Sequence, residues 1–247
     1  MNRDPRLPVI ERRLAGVTRI LAVTGGKGGI GKTLVAAGLA LAWGRAGGRA
    51  GLLDLDLTGP CAHLVLGGDP PWPEEDFGLV PPLVAGVRFL SLACLSGGRP
   101  APLRGVDLSN ALIELLAVAR WGELDCLVVD LPPGLGDALL DLVRLLPRTE
   151  YLAVATPSRV VVETVRRTLA LLAGAGVPIL GVLENMRRGE SPLVTGLAAD
   201  AGLPFLGALP FDEGVEAAVG DPEGLVRTAP VAALCHLVAE GRLGSLR

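Results

Sequence analysis

The 247-residue chain is poor in lysine and in aromatic residues, has no paired cysteines and contains no long apolar run. Lys27 and Lys32 are its only lysines; every other basic side chain is arginine. Aromatics make up 3% of a chain that is 50% hydrophobic, so the core must be built from Leu, Val and Ala. Its four cysteines, Cys61, Cys94, Cys126 and Cys235, are dispersed. Without a C-x-x-C pair they exclude a disulfide scaffold and a zinc ribbon. No segment reaches the length of a membrane span, since Leu34–Trp43 is bounded on both sides by glycine and charge. Met1–Arg13 is polar, arginine-rich and punctuated by proline, with no apolar leader core. A cytosolic location is therefore expected. A formal net charge of −3 predicts no general attraction to nucleic acid or to anionic membranes.

What is present centres on Thr24-Gly25-Gly26-Lys27-Gly28-Gly29-Ile30-Gly31-Lys32-Thr33. Apolar Ile20–Val23 precedes it and a helical run, Leu34–Trp43, follows. Strand, glycine loop and helix are the setting in which G-x-x-x-x-G-K-[ST] binds phosphate, here with Gly26, Gly31, Lys32 and Thr33. The glycines let successive N–H groups turn inward on phosphate oxygens, and a side chain at Gly28 or Gly29 is expected to crowd or forbid this. Ile30 lies within the same loop. The helix beginning near Lys32 adds its positive end. Lys32 is expected to reach the β- and γ-phosphates and Thr33 to ligate Mg²⁺, so a nucleotide and Mg²⁺ are the expected cofactors. Both lysines of the chain lie in this loop, where a compact ammonium fits and a broad guanidinium does not.

Alternating apolar runs and helical patterns predict an α/β fold. It should be a doubly wound, mostly parallel sheet flanked by helices, in one domain over 19–247 behind a loose lead-in, 1–18. Strands are expected at Arg19–Val23, Ala50–Asp54, Val87–Ala93, Tyr151–Thr156, Val177–Glu184 and Leu203–Leu209. Helices are expected at Lys32–Ala46, Asp107–Ala119 (capped by Asp107 or Ser109), Ser158–Ala173 and Val231–Ala239. Residues 67–87 read as a surface excursion. The unbroken apolar run ending at Asp130 is a buried parallel strand that delivers a carboxylate to the active edge. Asp130 should hold a water of the Mg²⁺ shell, and Gly134 should sense the γ-phosphate. Asp54 and Asp56, at the end of a strand beside the loop, lie where open α/β sheets bind ligands; alone, they equally fit solvated loop acids.

With Lys27 near its start, K-G-G-x-G-K-T resembles the deviant Walker A loop of the dimeric MinD/ParA/Mrp ATPases. That resemblance implies an ATP-linked homodimer in which Lys27 reaches the partner's phosphates, acting in trans as an arginine finger does. Taken alone, Lys27 also fits a solvated loop lysine. Asp54-Leu55-Asp56-Leu57-Thr58-Gly59-Pro60 resembles switch I of the same group. Carried over by position, Asp56 would orient or activate the attacking water and Asp54 would support the Mg²⁺ shell.

Trp121-Gly122-Glu123-Leu124-Asp125, Leu127-Val128-Val129-Asp130-Leu131-Pro132-Pro133-Gly134 and Gly136-Asp137 are similar to the Mrp/ApbC family of ATP-dependent iron–sulfur cluster carriers. Arg104-Gly105, Thr156-Pro157, Glu184-Asn185-Met186 and Leu209-Pro210-Phe211-Asp212 extend the likeness over nearly all the chain from Arg19. Leu135 departs from the family's small hydroxyl residue. The resemblance places Asn185 on the adenine edge, with a turn asparagine as the alternative, and Pro210 and Asp212 in a loop over the base. In the family, a C-P-x-C insertion follows Asn-Met and holds a bridging [4Fe–4S] cluster between subunits. Here Arg187-Arg188-Gly189-Glu190-Ser191-Pro192 contains no cysteine. Cys61 is the most site-proximal thiol, but a pair of Cys61 thiols across a dimer gives only two ligands. Cys94 and Cys126 read as buried, and Cys235 has His236 as a neighbour that does not face it.

The expected function is an Mg²⁺-dependent dimeric ATPase in iron–sulfur or metallocofactor assembly, without its own cysteine-ligated cluster and served by a cluster-carrying or metalloprotein partner. A MinD/ParA-like positioning ATPase and a nucleotide-gated binding module are the alternatives. Two arginines in Val231–Arg247 do not make a basic membrane helix, and neither a membrane nor a nucleic-acid partner is expected.

Overall fold

The computed structural model describes residues 5–56, 59–68, 71–91, 105–134 and 136–244. Cys94, Arg104, Leu135 and the Leu57-Thr58 pair lie outside the described residues. In chain order the elements are α1 (Leu7–Arg13), β1 (Val17–Thr24), α2 (Lys32–Arg45), β2 (Ala50–Asp54), α3 (Ala62–Leu66), β3 (Glu74–Glu75), β4 (Leu79–Val80), β5 (Leu83–Val84) and β6 (Val87–Ser91). They continue as α4 (Val106–Val118), β7 (Leu124–Asp130), α5 (Asp137–Leu145), β8 (Glu150–Ala155), α6 (Arg159–Gly174), β9 (Ile179–Arg187), α7 (Leu193–Asp200), β10 (Phe205–Pro210), α8 (Gly214–Ala218), α9 (Pro222–Arg227) and α10 (Ala229–Ala239).

Eight strands form one sheet in the order β10-β9-β8-β1-β7-β2-β6-β5, parallel throughout except for the β5–β6 edge. β3 and β4 make a separate antiparallel pair, which accounts for part of the expected surface excursion. Successive strand side chains point to opposite faces, and helices cover both faces. Leu21, Val23, Cys126 and Val128 pack on one side with residues of α2, α6, α7 and α10. Ile20, Ala22, Leu127 and Val129 pack on the other with α1, α4 and α5. This two-sided burial is why β1 and β7 read as continuous apolar runs rather than as alternating ones.

α2 is the most enclosed helix, and its close fit comes from a small residue. A Cβ at Gly38 would lie 2.8 Å from Leu234 Cδ1 and 3.3 Å from Val231 Cγ2, both on α10. The C-terminal tail is tied to the sheet by Arg19 of β1, which grips Glu150 of β8 at 2.6 and 2.8 Å and also donates to the Leu243 carbonyl.

Three expectations change here. The lead-in is not loose: Leu7, Ile10 and Leu14 share a helical stripe, with Ile10 and Leu14 buried against the β1 face. Arg148 holds the end of that segment by donating to the Leu14 and Val17 carbonyls at 2.7 and 2.9 Å. α4 has Gly105 at its N-cap and no side-chain cap, so neither Asp107 nor Ser109 fills that role. β9 runs three residues beyond Glu184, which places Asn185 inside a strand rather than after one. Ile10→Ala should lower unfolding stability by about 3 kcal/mol in a denaturant titration, as for a buried aliphatic truncation. A loss well below 1 kcal/mol would show that α1 does not belong to the core.

Candidate functional site

The parallel register brings the C-terminal ends of the central strands to one edge. Asp130 lies abreast of Val23 on β1 and of Asp54 on β2, and Glu184 lies abreast of Ala155. The loop between β1 and α2 sits on this edge. Gly31 caps α2 with a left-handed φ of 81°, and a Cβ there would lie 2.4 Å from Asn185 Nδ2. Gly29 has φ 77°. At Gly28 a Cβ would meet only Pro133 Cβ at 3.8 Å. Within the protein nothing crowds Gly28, so only an approaching ligand would. Lys27, Gly28 and Gly29 are exposed, Gly26 is half-buried, and Ile30 is buried and pins the loop. No side chain caps the N-terminus of α2, which leaves the anion-binding end of a 14-residue helix facing the loop.

Lys32 is buried, and its Nζ donates to the Lys27 carbonyl at 3.2 Å, drawing the loop closed. Burial lowers the Lys32 pKa, and the charges of Asp130, Asp56 and Cys61 oppose that shift. Asp54 is fully buried; its Oδ1 accepts from the Asp56 amide at 3.0 Å and its Oδ2 from the Ala62 amide at 3.2 Å and Ser91 Oγ at 3.3 Å. Burial pushes the Asp54 carboxyl up to about 6, against the pull of its backbone hydrogen bonds. Burial pushes Asp130 further, to about 7, with Asp54 adding to the shift, while the Thr33 hydroxyl and the Lys32 ammonium oppose it. Asp130 is 1% exposed, and its Oδ1 has no hydrogen-bond partner.

An orphaned, buried carboxylate oxygen beside a threonine hydroxyl and a second carboxylate is an all-oxygen set that suits a hard divalent cation. Such a cation supplies the missing partner and reverses the pressure to protonate. Thr33 and Asp130 would hold it directly or through water, with Asp54 behind them.

Asp56 is half-buried; its Oδ1 accepts from the Gly59 amide at 3.0 Å, and its charge acts on Lys32, Asp54 and Asp130. Gly134 follows β7 in the half-buried turn beside the exposed Pro133. Asn185 is buried, and its Nδ2 donates to the Ile30 carbonyl at 2.9 Å. Its amide donor therefore braces the phosphate loop from β9. Pro210 ends β10, away from the loop's own strand. Asp212 accepts from the Gly214 and Ala229 amides, each at 2.8 Å, which lowers its pKa and caps α10.

Of three further contributors, Ser91 escaped the sequence reading, and Glu184 and Met186 entered it only as part of a matched motif, without a role. Ser91 reaches Asp54 from the end of β6. Met186 adopts φ 59° beside the loop, a strained torsion for a non-glycine residue. Glu184, buried in β9, forms a two-pronged pair with Arg187 at 2.8 Å on each prong. An isolated polar position at the end of an apolar strand is the one hint at Ser91, and no local signal gives the torsion of Met186.

Asp54 and Asp130 have folded-state pKa values above the ordinary carboxylate range, so the folded protein binds more protons than the unfolded chain. Their contribution to stability therefore declines as pH rises from about 4 towards about 7. In chelator, without nucleotide, Asp130→Asn should raise the melting temperature at pH 8 by about 5 °C or more. At pH 5 the gain should shrink to less than half. An equal gain at both pH values would show that relief of buried charge is not its source.

A family model described as NUBPL iron-transfer P-loop NTPase, in the ParA group, matches residues 16–239. The chain is 39% identical over 236 residues to an iron-sulfur cluster carrier protein of Deinococcus radiodurans, covering 89% of this chain and 67% of that protein. It is 35% identical over 233 residues to the carrier protein of Pseudomonas fragi, covering 85% of this chain and 81% of the relative. It is 34% identical over 243 residues to the mitochondrial iron-sulfur protein required for NADH dehydrogenase of Arabidopsis thaliana, covering 89% and 77%. A nucleotide-binding protein from Archaeoglobus fulgidus, solved in complex with ADP, superposes with a TM-score of 0.75 at 27% identity over 92% of this chain and 95% of that one. The cell division ATPase MinD of Pyrococcus furiosus superposes at 0.67 with 22% identity over 90% and 99%, a likeness of fold. A match that runs from Gly16 to Ala239, with relatives above 30% identity over most of their own length, means that this chain belongs to the NUBPL-type iron-transfer P-loop NTPase family.

Proposed function

We propose that this protein binds and slowly hydrolyses ATP with Mg²⁺ as an ATP-linked homodimer, and that it works in iron–sulfur cluster assembly with a partner that supplies the cluster ligands. The observation that carries the reading is the meeting of Lys32, Thr33, Asp54, Asp56 and Asp130 at one sheet edge, with a buried Asp130 oxygen awaiting a cation. Lys32 binds the phosphates, Thr33 and Asp130 hold Mg²⁺, and Asp56 orients water from the loop after β2. Bound Mg²⁺ supplies neutralisation of the phosphate charge. Gly26 to Gly31 wrap the phosphates, and Gly134 reads the terminal one. Asn185, which braces the loop through Ile30, serves the adenine edge, with Pro210 and Asp212 in the loop over the base. The exposed position of Lys27 supports its crossing to a second subunit. The iron–sulfur assignment rests on the relatives, whose names describe cluster carriers.

Among the described cysteines, Cys126 is buried in β7, Cys235 is half-buried on α10 and Cys61 is exposed. Among the described residues, no three His, Cys, Asp or Glu side chains are grouped to hold a metal ion. The partner is assigned the cluster ligands because the segment after Met186, Arg187-Arg188-Gly189-Glu190-Ser191-Pro192, contains no cysteine. Among the described residues, no helix is long and apolar enough to cross a membrane.

Lys32→Ala should abolish binding of a fluorescent ATP analogue, while Asp56→Ala should bind it but turn over at least about 100-fold more slowly. With ATP, light scattering should show Asp56→Ala as a dimer, and adding Lys27→Ala should loosen it. Normal turnover in Lys27→Ala would remove the trans-acting role. Anaerobic reconstitution with iron and sulfide should leave the isolated protein without a stoichiometric cluster. A stable chromophore lost on Cys61→Ser would place the ligands in this chain, and stimulation by DNA or lipid vesicles instead of a cysteine-bearing partner would favour a positioning ATPase.

A further inference from the structure

The cation site assigned to Thr33 and Asp130 has a neighbour that a purely oxygen-based site does not need. Cys61, at the N-terminal boundary of α3, is exposed and places its Sγ 3.8 Å from Thr33 Oγ1. The Thr33 hydroxyl is the same group that bonds Asp130, whose Oδ1 is buried and has no hydrogen-bond partner. One hydroxyl is thus shared between a thiol and an unsatisfied carboxylate. Bond lengths of about 2.3 Å to sulfur and about 2.1 Å to oxygen would set two adjacent ligands of one cation about 3.1–3.6 Å apart. The separation seen, 3.8 Å, is about 0.2–0.7 Å wider than that range.

We propose that Cys61 is a specificity-determining residue of this cation site, adding a sulfur that lets it take a borderline divalent cation such as Co²⁺, Fe²⁺ or Zn²⁺. This rests on the nucleotide-binding reading given above. Ligand softness decides the choice: carboxylate, hydroxyl and phosphate oxygens suit Mg²⁺, whereas a thiolate adds affinity only for softer cations. A coordinating thiol releases its proton to water as it meets the cation. With Thr33, Asp130 and Cys61 as the ligands from the protein, phosphate oxygens of the nucleotide are assigned the further positions of the shell. The sulfur–cation bond should therefore form only when nucleotide is present. The Cys61 position, beside Thr33 at the end of the phosphate-binding loop and reachable from solvent, meets that requirement.

The test is an anaerobic titration of the full chain with Co²⁺, with and without ADP, followed by near-ultraviolet absorption. Sulfur-to-cobalt charge transfer should appear in the wild type with ADP and be absent without it. Cys61→Ser and Cys61→Ala should lose the band, and their affinity for Co²⁺ in the presence of ADP should fall about tenfold. Cys235→Ser should keep the band. A fluorescent nucleotide with Mg²⁺ measures binding separately. If the wild type binds that nucleotide but shows no band, or if the band survives in both Cys61 variants, the inference is overturned. If the wild type binds no nucleotide, the reading of the site fails and this inference falls with it.

Discussion

Two carboxylates, Asp54 and Asp130, stand side by side in a water-excluded sheet edge with one ammonium, Lys32, against them. Taking a carboxylate out of water costs several kcal/mol unless it is paired and hydrogen-bonded. Asp54 is satisfied by two backbone amides and Ser91, but Asp130 is left with an oxygen that nothing answers. The surrounding architecture is arranged to hold this imbalance. Parallel strands fix the two carboxylates in register, α2 delivers Lys32 and Thr33 to the same point, and β9 braces the loop through Asn185. The site thus carries a local deficit of positive charge that a divalent cation would correct.

The part of the site legible in the sequence is the part written in short contiguous patterns. Lys27 to Thr33 declares itself by glycine spacing between strand and helix, and Asp130 by an apolar run that ends in acid. Both signals are local, and the fold places them together because parallel strands all finish at one edge. What was hidden is pairing across distance. Asn185 and Ile30 are far apart in sequence, so their hydrogen bond leaves no trace in either neighbourhood. Asp212 resembles a residue of a base-covering loop, yet its carboxylate caps a helix that begins at Ala229. The docking of α1 was legible in principle, since Leu7, Ile10 and Leu14 share helical spacing. Its arginines and prolines masked the stripe by making the segment look polar.

The end of β9 and the turn after it mark where the chain departs from the family pattern it resembles. Met186 turns the strand with a left-handed torsion, Arg187 is held by the buried Glu184, and Arg188 stacks on Phe211 with its guanidinium 3.7 Å from the ring centre. A short connection then leads into α7. Where a cysteine-bearing loop would leave the body of the domain, this chain has a compact arginine-rich corner fastened to β10. Arginine suits that position because its planar group both pairs with carboxylate and stacks on an aromatic ring.

The fit of Gly38 against Leu234 has a mechanical meaning. α2 lies between the sheet and α10 with no slack, and Arg19 ties the tail beyond α10 back to β1 and β8. A helix so clamped cannot slide or tilt when a phosphate arrives at its first turn. It is an anvil, a fixed face against which the loop at its N-terminus is set. The stiffness of this one helix therefore sets where Lys32 and Thr33 stand relative to the carboxylates of β2 and β7.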